Sequence, residues 1–226
     1  MKTKVLSAIG AFCLQAALVL AILFAVTFDR GFYTTEYEKL GIYDSCGADS
    51  STLELATDIV LDYLRGTADG MGGTGVIDGE ARDIFGTDER THMADVKGLF
   101  ELALVVILVC GVVAIICMLA AGRGGNAMRK SAAQGALTGM GIFVVLLGAA
   151  AIWFAVDFSG AFTAFHHLLF NNGLWLMDPD TQFMIRMFPS QFFADMGLRI
   201  AEYTGMAVVG EVTVICIAGF GRGRMA

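Results

Sequence analysis

The chain has 226 residues, of which 56% are hydrophobic and only 16% charged, and its mean hydropathy is +0.68. A soluble domain carries about 25% charged residues, so an ordinary soluble globule is excluded. With two prolines and no polar low-complexity tract, so is a disordered chain. Fifteen Lys and Arg against 22 Asp and Glu give a net charge of −7, which leaves no basic footprint for nucleic acid.

The first element is an uncharged apolar run from Val5 to Phe28. It is long enough to cross a hydrocarbon core of about 30 Å and too long for a signal-peptide core, so it reads as a retained membrane span. Residues 29–97 follow as a polar loop long enough to form a small cap. Within it, Ser51 followed by Glu54 has the pattern of a capping box. The pattern opens a helix in which Leu53, Ala56, Ile59, Val60, Tyr63 and Leu64 recur on one face, and Gly66 suits its C-terminus. Residues 66–79 hold six glycines and read as a flexible, turn-rich connection. They lack the G-K-[ST] ending of a phosphate loop. From Arg82 the chain is helix-compatible and is expected to run into the second span, Leu99 to Ala121.

A third span runs from Ala132 to Val156 and a fourth from Ala201 to Phe220. In the third, Gly135 and Gly139 form a G-x-x-x-G suited to close helix packing. In the fourth, Glu211 lies deep within the apolar run, where a carboxyl group is expected to bond to a neighbouring helix. Between these spans, residues 157–200 carry Phe162, Phe165, Phe170, Trp175, Phe183, Phe188, Phe192 and Phe193. Such density beside span ends suits a segment at headgroup level. Arg186, in the run FMIRMF, suits pairing with lipid phosphate or with an acid.

Segments 1–4, 122–131 and 221–226 hold Lys2, Lys4, Arg123, Arg129, Lys130, Arg222 and Arg224 and no acid. Short basic segments stay cytoplasmic. The expected fold is therefore an all-α integral membrane protein, a single membrane domain over 1–226. Four transmembrane helices would have both ends inside, with an extracellular cap from 29–97 and 157–200. Cys13, Cys110, Cys117 and Cys216 fall in spans and Cys46 stands alone outside, so no disulfide framework is expected.

The three histidines, His92, His166 and His167, all fall in the expected outer segments. Imidazole is the side chain best suited to accept and donate protons near neutral pH. On a helix, Glu89 and Asp95 lie three residues before and after His92 and can share its face, where either can orient the ring. His166 and His167 are adjacent and point about 100° apart on a helix, so one site receives only one of them. Spacing does not choose which.

The strings FGTDERTHMADVKGLF and FHHLLFNNGLWLMDPDTQFMIRMFPSQFF resemble the two signature segments of the lipoprotein intramolecular transacylases, four-span bacterial membrane proteins. DYLRG at 62–66 matches a third, weaker element. The resemblance implies that His92, in H-x-x-D-V, and His166, in F-H-x-x-x-F, are catalytic, with His167 at a variable position. Trp175 and Asp178 lie in the matching W-x-x-D-P string; Gly173 departs from the pattern. The implied reaction moves the sn-2 acyl chain of a diacylated lipoprotein to the α-amine of its N-terminal cysteine. The implied partners are that lipoprotein and membrane lipids, and no ATP, acyl-CoA or metal cofactor is called for. One imidazole, His166 by preference, would take the amine proton, and the other would act on the oxyanion or leaving oxygen. Two other readings fit the same residues: a non-enzymatic transport or assembly subunit, and a metal-dependent membrane hydrolase using the histidines and Asp95 as ligands.

Overall fold

The structure is a computed structural model that describes residues 1–121 and 125–220. Arg123, Arg222 and Arg224, counted above among the cytoplasmic cations, lie outside the described residues. In chain order the elements are α1 (Lys2–Thr27), α2 (Arg30–Lys39), α3 (Ile42–Ser45), α4 (Ser50–Arg65), β1 (Thr74–Ile77), β2 (Glu80–Asp83), α5 (Thr87–Ala121), α6 (Asn126–Val156), α7 (Phe158–Leu169), α8 (Met184–Met187) and α9 (Ser190–Phe220). Among the described residues α1, α5, α6 and α9 are long and apolar enough to cross a membrane. The chain divides into two compact units. One comprises Met1–Ala25, Ala103–Val156 and Leu198–Ala226; the other comprises Val26–Leu102 and Asp157–Gly197.

In the first unit, α1 touches all three of its partner helices. Gly135 and Gly139 of α6 lie against the Lys4 and Ala8 backbones, so closely that a Cβ at either would collide with a carbonyl oxygen. The G-x-x-x-G is thus used for packing within the chain. Phe12 meets Phe143 edge to face at 5.4 Å, and Gly10 packs on Cys117 of α5. Gln15 donates a hydrogen bond to Glu211 of α9. The deep carboxyl group is therefore bonded to a neighbouring helix, as expected of a polar group without access to water. Leu108, Val145, Leu146 and Val209 face outward, which suits a hydrocarbon solvent.

The second unit has an aromatic core. Phe32, Tyr33 and Tyr37 of α2 pack with Leu53, Ala56, Val60 and Leu61 of α4 and with Phe183, Met187, Phe188 and Phe192. The expected stripe of α4 is therefore seen, with Ile59, Tyr63 and Leu64 packed at its margin. Its start differs from the expected capping box. Asp49 is the N-cap and accepts from the Thr52 amide at 2.7 Å, while Ser51 Oγ donates to the same carboxylate. Gly66 ends the helix in the left-handed region, φ 77°.

Residues 66–79 are more ordered than their glycine content suggested. Thr74–Ile77 pairs antiparallel with Glu80–Asp83. Asp78 and Gly79, both with positive φ, make the two-residue turn whose twist matches the strands. The hairpin rests on α4 through Gly75, where a Cβ would collide with Thr52, and through Val76 N–H donating to Thr52 Oγ1. Because β2 occupies Glu80–Asp83, the following helix begins at Thr87 rather than near Arg82. The aromatic segment also departs from a purely headgroup-level role. Phe183, Phe188 and Phe192 are core residues, whereas Phe165, Leu168, Leu176 and Phe193 remain exposed.

Candidate active site

Two histidines meet in the second unit. His92 stands in the second turn of α5, before the apolar stretch that starts near Leu99, and His166 in the last turn of α7. Both are more than nine-tenths buried, and their ring centroids are 6.2 Å apart with planes inclined by 28°. His167 is exposed and meets Trp175 edge to face. The helix turns His166 inward because Phe162, His166 and Phe170 recur at four-residue spacing on one face.

Aromatic rings box His166. Phe162 lies 4.0 Å from it, Trp175 4.8 Å, Phe165 5.4 Å and Phe170 5.5 Å, centroid to centroid. Phe170 also meets His92 at 5.1 Å, so one ring abuts both imidazoles. His166 Nδ1 lies 2.7 Å from the Phe162 carbonyl oxygen. A carbonyl only accepts, so Nδ1 donates and carries the proton, leaving a lone pair on Nε2. His92 Nδ1 and Trp175 Nε1 are buried and have no hydrogen-bond partner among the described residues.

Burial pushes the His92 ring down to about 4; the His166 ring pushes the same way, and Asp95 partly opposes both. Burial likewise lowers His166, against the Phe162 carbonyl, which favours its protonated form. Both rings are therefore neutral at pH 7. Each is equipped to accept or donate one hydrogen bond rather than to act as a fixed cation.

The supporting residues expected from the sequence divide into two groups. Trp175 stacks on His166. Asp95 influences His92 and accepts from Asn172 Nδ2 at 2.8 Å, which fastens the loop after α7 to α5. Glu89, Asp178 and Arg186 work elsewhere. The buried Glu89 carboxylate accepts from the Gly86 amide at 2.6 Å and the Met184 amide at 2.7 Å. It thus fixes the start of α5 and of α8. Asp178 organises its own turn, accepting from Asp180 N–H, while its amide donates to Gln182. Arg186 pairs with Asp78 through both terminal nitrogens, at 2.9 and 3.1 Å, an acidic partner rather than lipid phosphate. A Cβ at Gly173 would meet nothing within 4 Å, so the departure from the expected pattern there leaves the loop undisturbed. Phe162, Phe170 and Asn172 were not singled out as site residues; their spacing from His166 was the available signal. Among the described residues, no three His, Cys, Asp or Glu side chains gather as metal ligands.

A family model described as lipoprotein intramolecular transacylase Lit matches residues 8–193. The fold is similar to the in meso structure of the membrane integral lipoprotein intramolecular transacylase Lit from Bacillus cereus. The TM-score is 0.77 at 18% identity, over 100% of this chain and 99% of that one. A histidine-to-alanine variant of that protein matches with a TM-score of 0.75 at 19% identity, over 100% of this chain and 96% of that one. A histidine-to-arginine variant gives 0.71 at 18% identity, over 95% and 92%. No curated protein matches. With its four long apolar helices, the chain is a multi-pass, all-α membrane protein.

Proposed function

Since this chain belongs to the lipoprotein intramolecular transacylase family and is an acyltransferase, we propose that His92 and His166 carry out its acyl transfer. The substrate in this reading is a diacylglyceryl lipoprotein. Its sn-2 acyl chain moves to the α-amine of the N-terminal cysteine, leaving a lyso-form lipoprotein with an N-acyl group. The observation that carries the reading is the pair of buried, neutral imidazoles 6.2 Å apart, close enough for both to reach one carbonyl group.

The neutral amine attacks the ester carbonyl carbon, and its proton passes to the bare Nε2 of His166. The C–O bond to the glyceryl oxygen breaks as the amide C–N bond forms, and the same proton moves to the departing oxygen. His92 and the Trp175 indole N–H, each buried beside His166, supply hydrogen bonds to the oxyanion. Positioned proton transfer contributes about 10²–10⁴-fold. Joining donor and acceptor in one molecule contributes more, with effective molarities of roughly 10⁵–10⁸ M. An unperturbed α-amine has a pKa near 8, so a base is needed at neutral pH.

We place both termini in the cytoplasm and the histidines at the outer leaflet. Lys2, Lys4, Arg129 and Lys130 in acid-free segments support this. The exposed Phe165, Leu168 and Leu176 beside the histidines suit a cap segment dipping into lipid. The test is purified protein with a synthetic diacylglyceryl-cysteinyl peptide. The product has the mass of the substrate but fragments with an N-acyl group, and a mixture of protiated and deuterated chains yields no crossed product. Crossed products, or free fatty acid alone, contradict the reading.

A further inference from the structure

The membrane unit contains a crevice of about 1050 Å³ between α1, α5, α6 and α9. Its walls are largely small or aliphatic, with Ala11, Ala132, Ala136 and Gly210 among them. Small residues ordinarily let membrane helices close on one another; here they border open space. The volume is at the top of the range of about 300–1,000 Å³ typical of small-molecule sites. On α9 the lining runs from Ala207 to Gly219, about 18 Å at 1.5 Å per residue. That is close to one leaflet, half of a hydrocarbon core of about 30 Å.

The polar groups are not scattered along it. Arg129 stands on the lining at the end near Gly219, where α6 begins. Ser7, also on the lining, is more than nine-tenths buried and its Oγ has no hydrogen-bond partner among the described residues. Glu211 lines the deeper part, and its partner Gln15 is wholly buried with Oε1 unbonded among the described residues. A cation at the mouth, a hydroxyl below it and an apolar shaft ending at an amide–carboxyl pair form an amphiphilic gradient one leaflet deep. Water is poorly suited to so apolar a groove.

We propose that this crevice is a binding site for one glycerophospholipid, its phosphate at Arg129 and one acyl chain between α1 and α9. Its lining includes neither histidine, and it holds the lipid as a bound component rather than as a reactant. A chain seated there fills space that would otherwise leave the small-residue walls without contacts.

The probe is a phosphatidylglycerol with a diazirine on one acyl chain, incorporated at low fraction with phosphatidylcholine in nanodiscs holding the full-length protein. Irradiation and peptide mapping are expected to label Leu14, Leu18 or Ala207. Ala136→Phe, which fills the shaft, should abolish that labelling, and Arg129→Ala, which leaves the shaft open, should lower it about tenfold. Both variants should retain transacylase activity, which shows that they fold. Three results would overturn the assignment. One is labelling confined to outward residues such as Val145 and Leu146. Another is crevice labelling indifferent to Arg129→Ala. The third is labelling by a diazirine-bearing diacylglyceryl peptide that displaces the phospholipid.

Discussion

His166 donates from Nδ1 to the carbonyl oxygen of Phe162, one helical turn earlier, at 2.7 Å. This bond fixes which nitrogen is free. A histidine used as a base needs an unprotonated nitrogen directed at its substrate, and here Nε2 is the one left. Nitrogen-15 NMR of selectively labelled protein should find His166 as the Nδ1-protonated neutral tautomer at pH 7. The opposite tautomer would remove His166 as the base.

The two rings also set a pH dependence. His92 has its pKa lowered to about 4 and His166 is lowered as well. Any imidazole limb in the activity profile should therefore lie below the ordinary histidine pKa of about 6.5, and activity should rise toward about pH 8 as the substrate amine loses its proton. The stability sign follows from proton binding. Between pH 6.5 and 4 the unfolded chain binds a proton at His92 that the folded chain does not. Stability is complete above the unfolded pKa and falls as pH falls through the window, by up to about 3 kcal/mol for His92. Thermal melting of wild type against His92→Phe measures it, and the variant should have the flatter acid limb.

Trp175 separates stacking from hydrogen bonding. Its ring packs on His166 at 4.8 Å while its buried N–H has no partner among the described residues. Trp175→Phe keeps an aromatic ring and removes the donor, which should lower kcat roughly 10–100-fold with little change in KM. Trp175→Ala should raise KM as well, because the wall of the box is lost. Steady-state kinetics on the synthetic peptide distinguish the two.

Glu89 predicts a stability effect rather than a chemical one. Its carboxylate satisfies two amides, Gly86 and Met184, and replacing it by alanine leaves both without that acceptor. The loss should be about 2–4 kcal/mol, read as a lower melting temperature, with Glu89→Gln recovering part of it. A Glu89→Ala protein that melts like wild type would contradict this role.

Gly139 offers a parallel test in the membrane unit. A side chain there collides with the Ala8 backbone. Gly139→Leu should therefore prevent stable accumulation, while the same change at Gly148, where a Cβ meets nothing within 4 Å, should be tolerated. Detergent-solubilised yield and size-exclusion profile report the difference.

What the sequence disclosed followed the range of the interactions involved. The four spans and the α4 stripe were legible because apolar runs and helical periodicity are local properties. So was the Asp78-Gly79 turn in principle, although the surrounding glycines disguised it as a flexible connection. Asp49 and Ser51 are both competent caps, and local chemistry does not rank them. The bonds of Glu89 were not legible because one of its two partners, Met184, lies 95 residues away. The same reason hid the core role of Phe183, Phe188 and Phe192, whose density also fits a membrane surface. Periodicity left His166 and His167 equivalent; packing against Phe162, Phe170 and Trp175 separates them.

The central claim is that His92 and His166 together perform the transfer. Fragmentation mass spectrometry of a lipoprotein N-terminal peptide, from cells carrying wild type, His92→Ala, His166→Ala or His167→Ala, tests it most directly. The N-acyl lyso form should be made by wild type and largely by His167→Ala, and by neither of the other two. Normal conversion by a stably accumulated His92→Ala or His166→Ala protein would contradict the account.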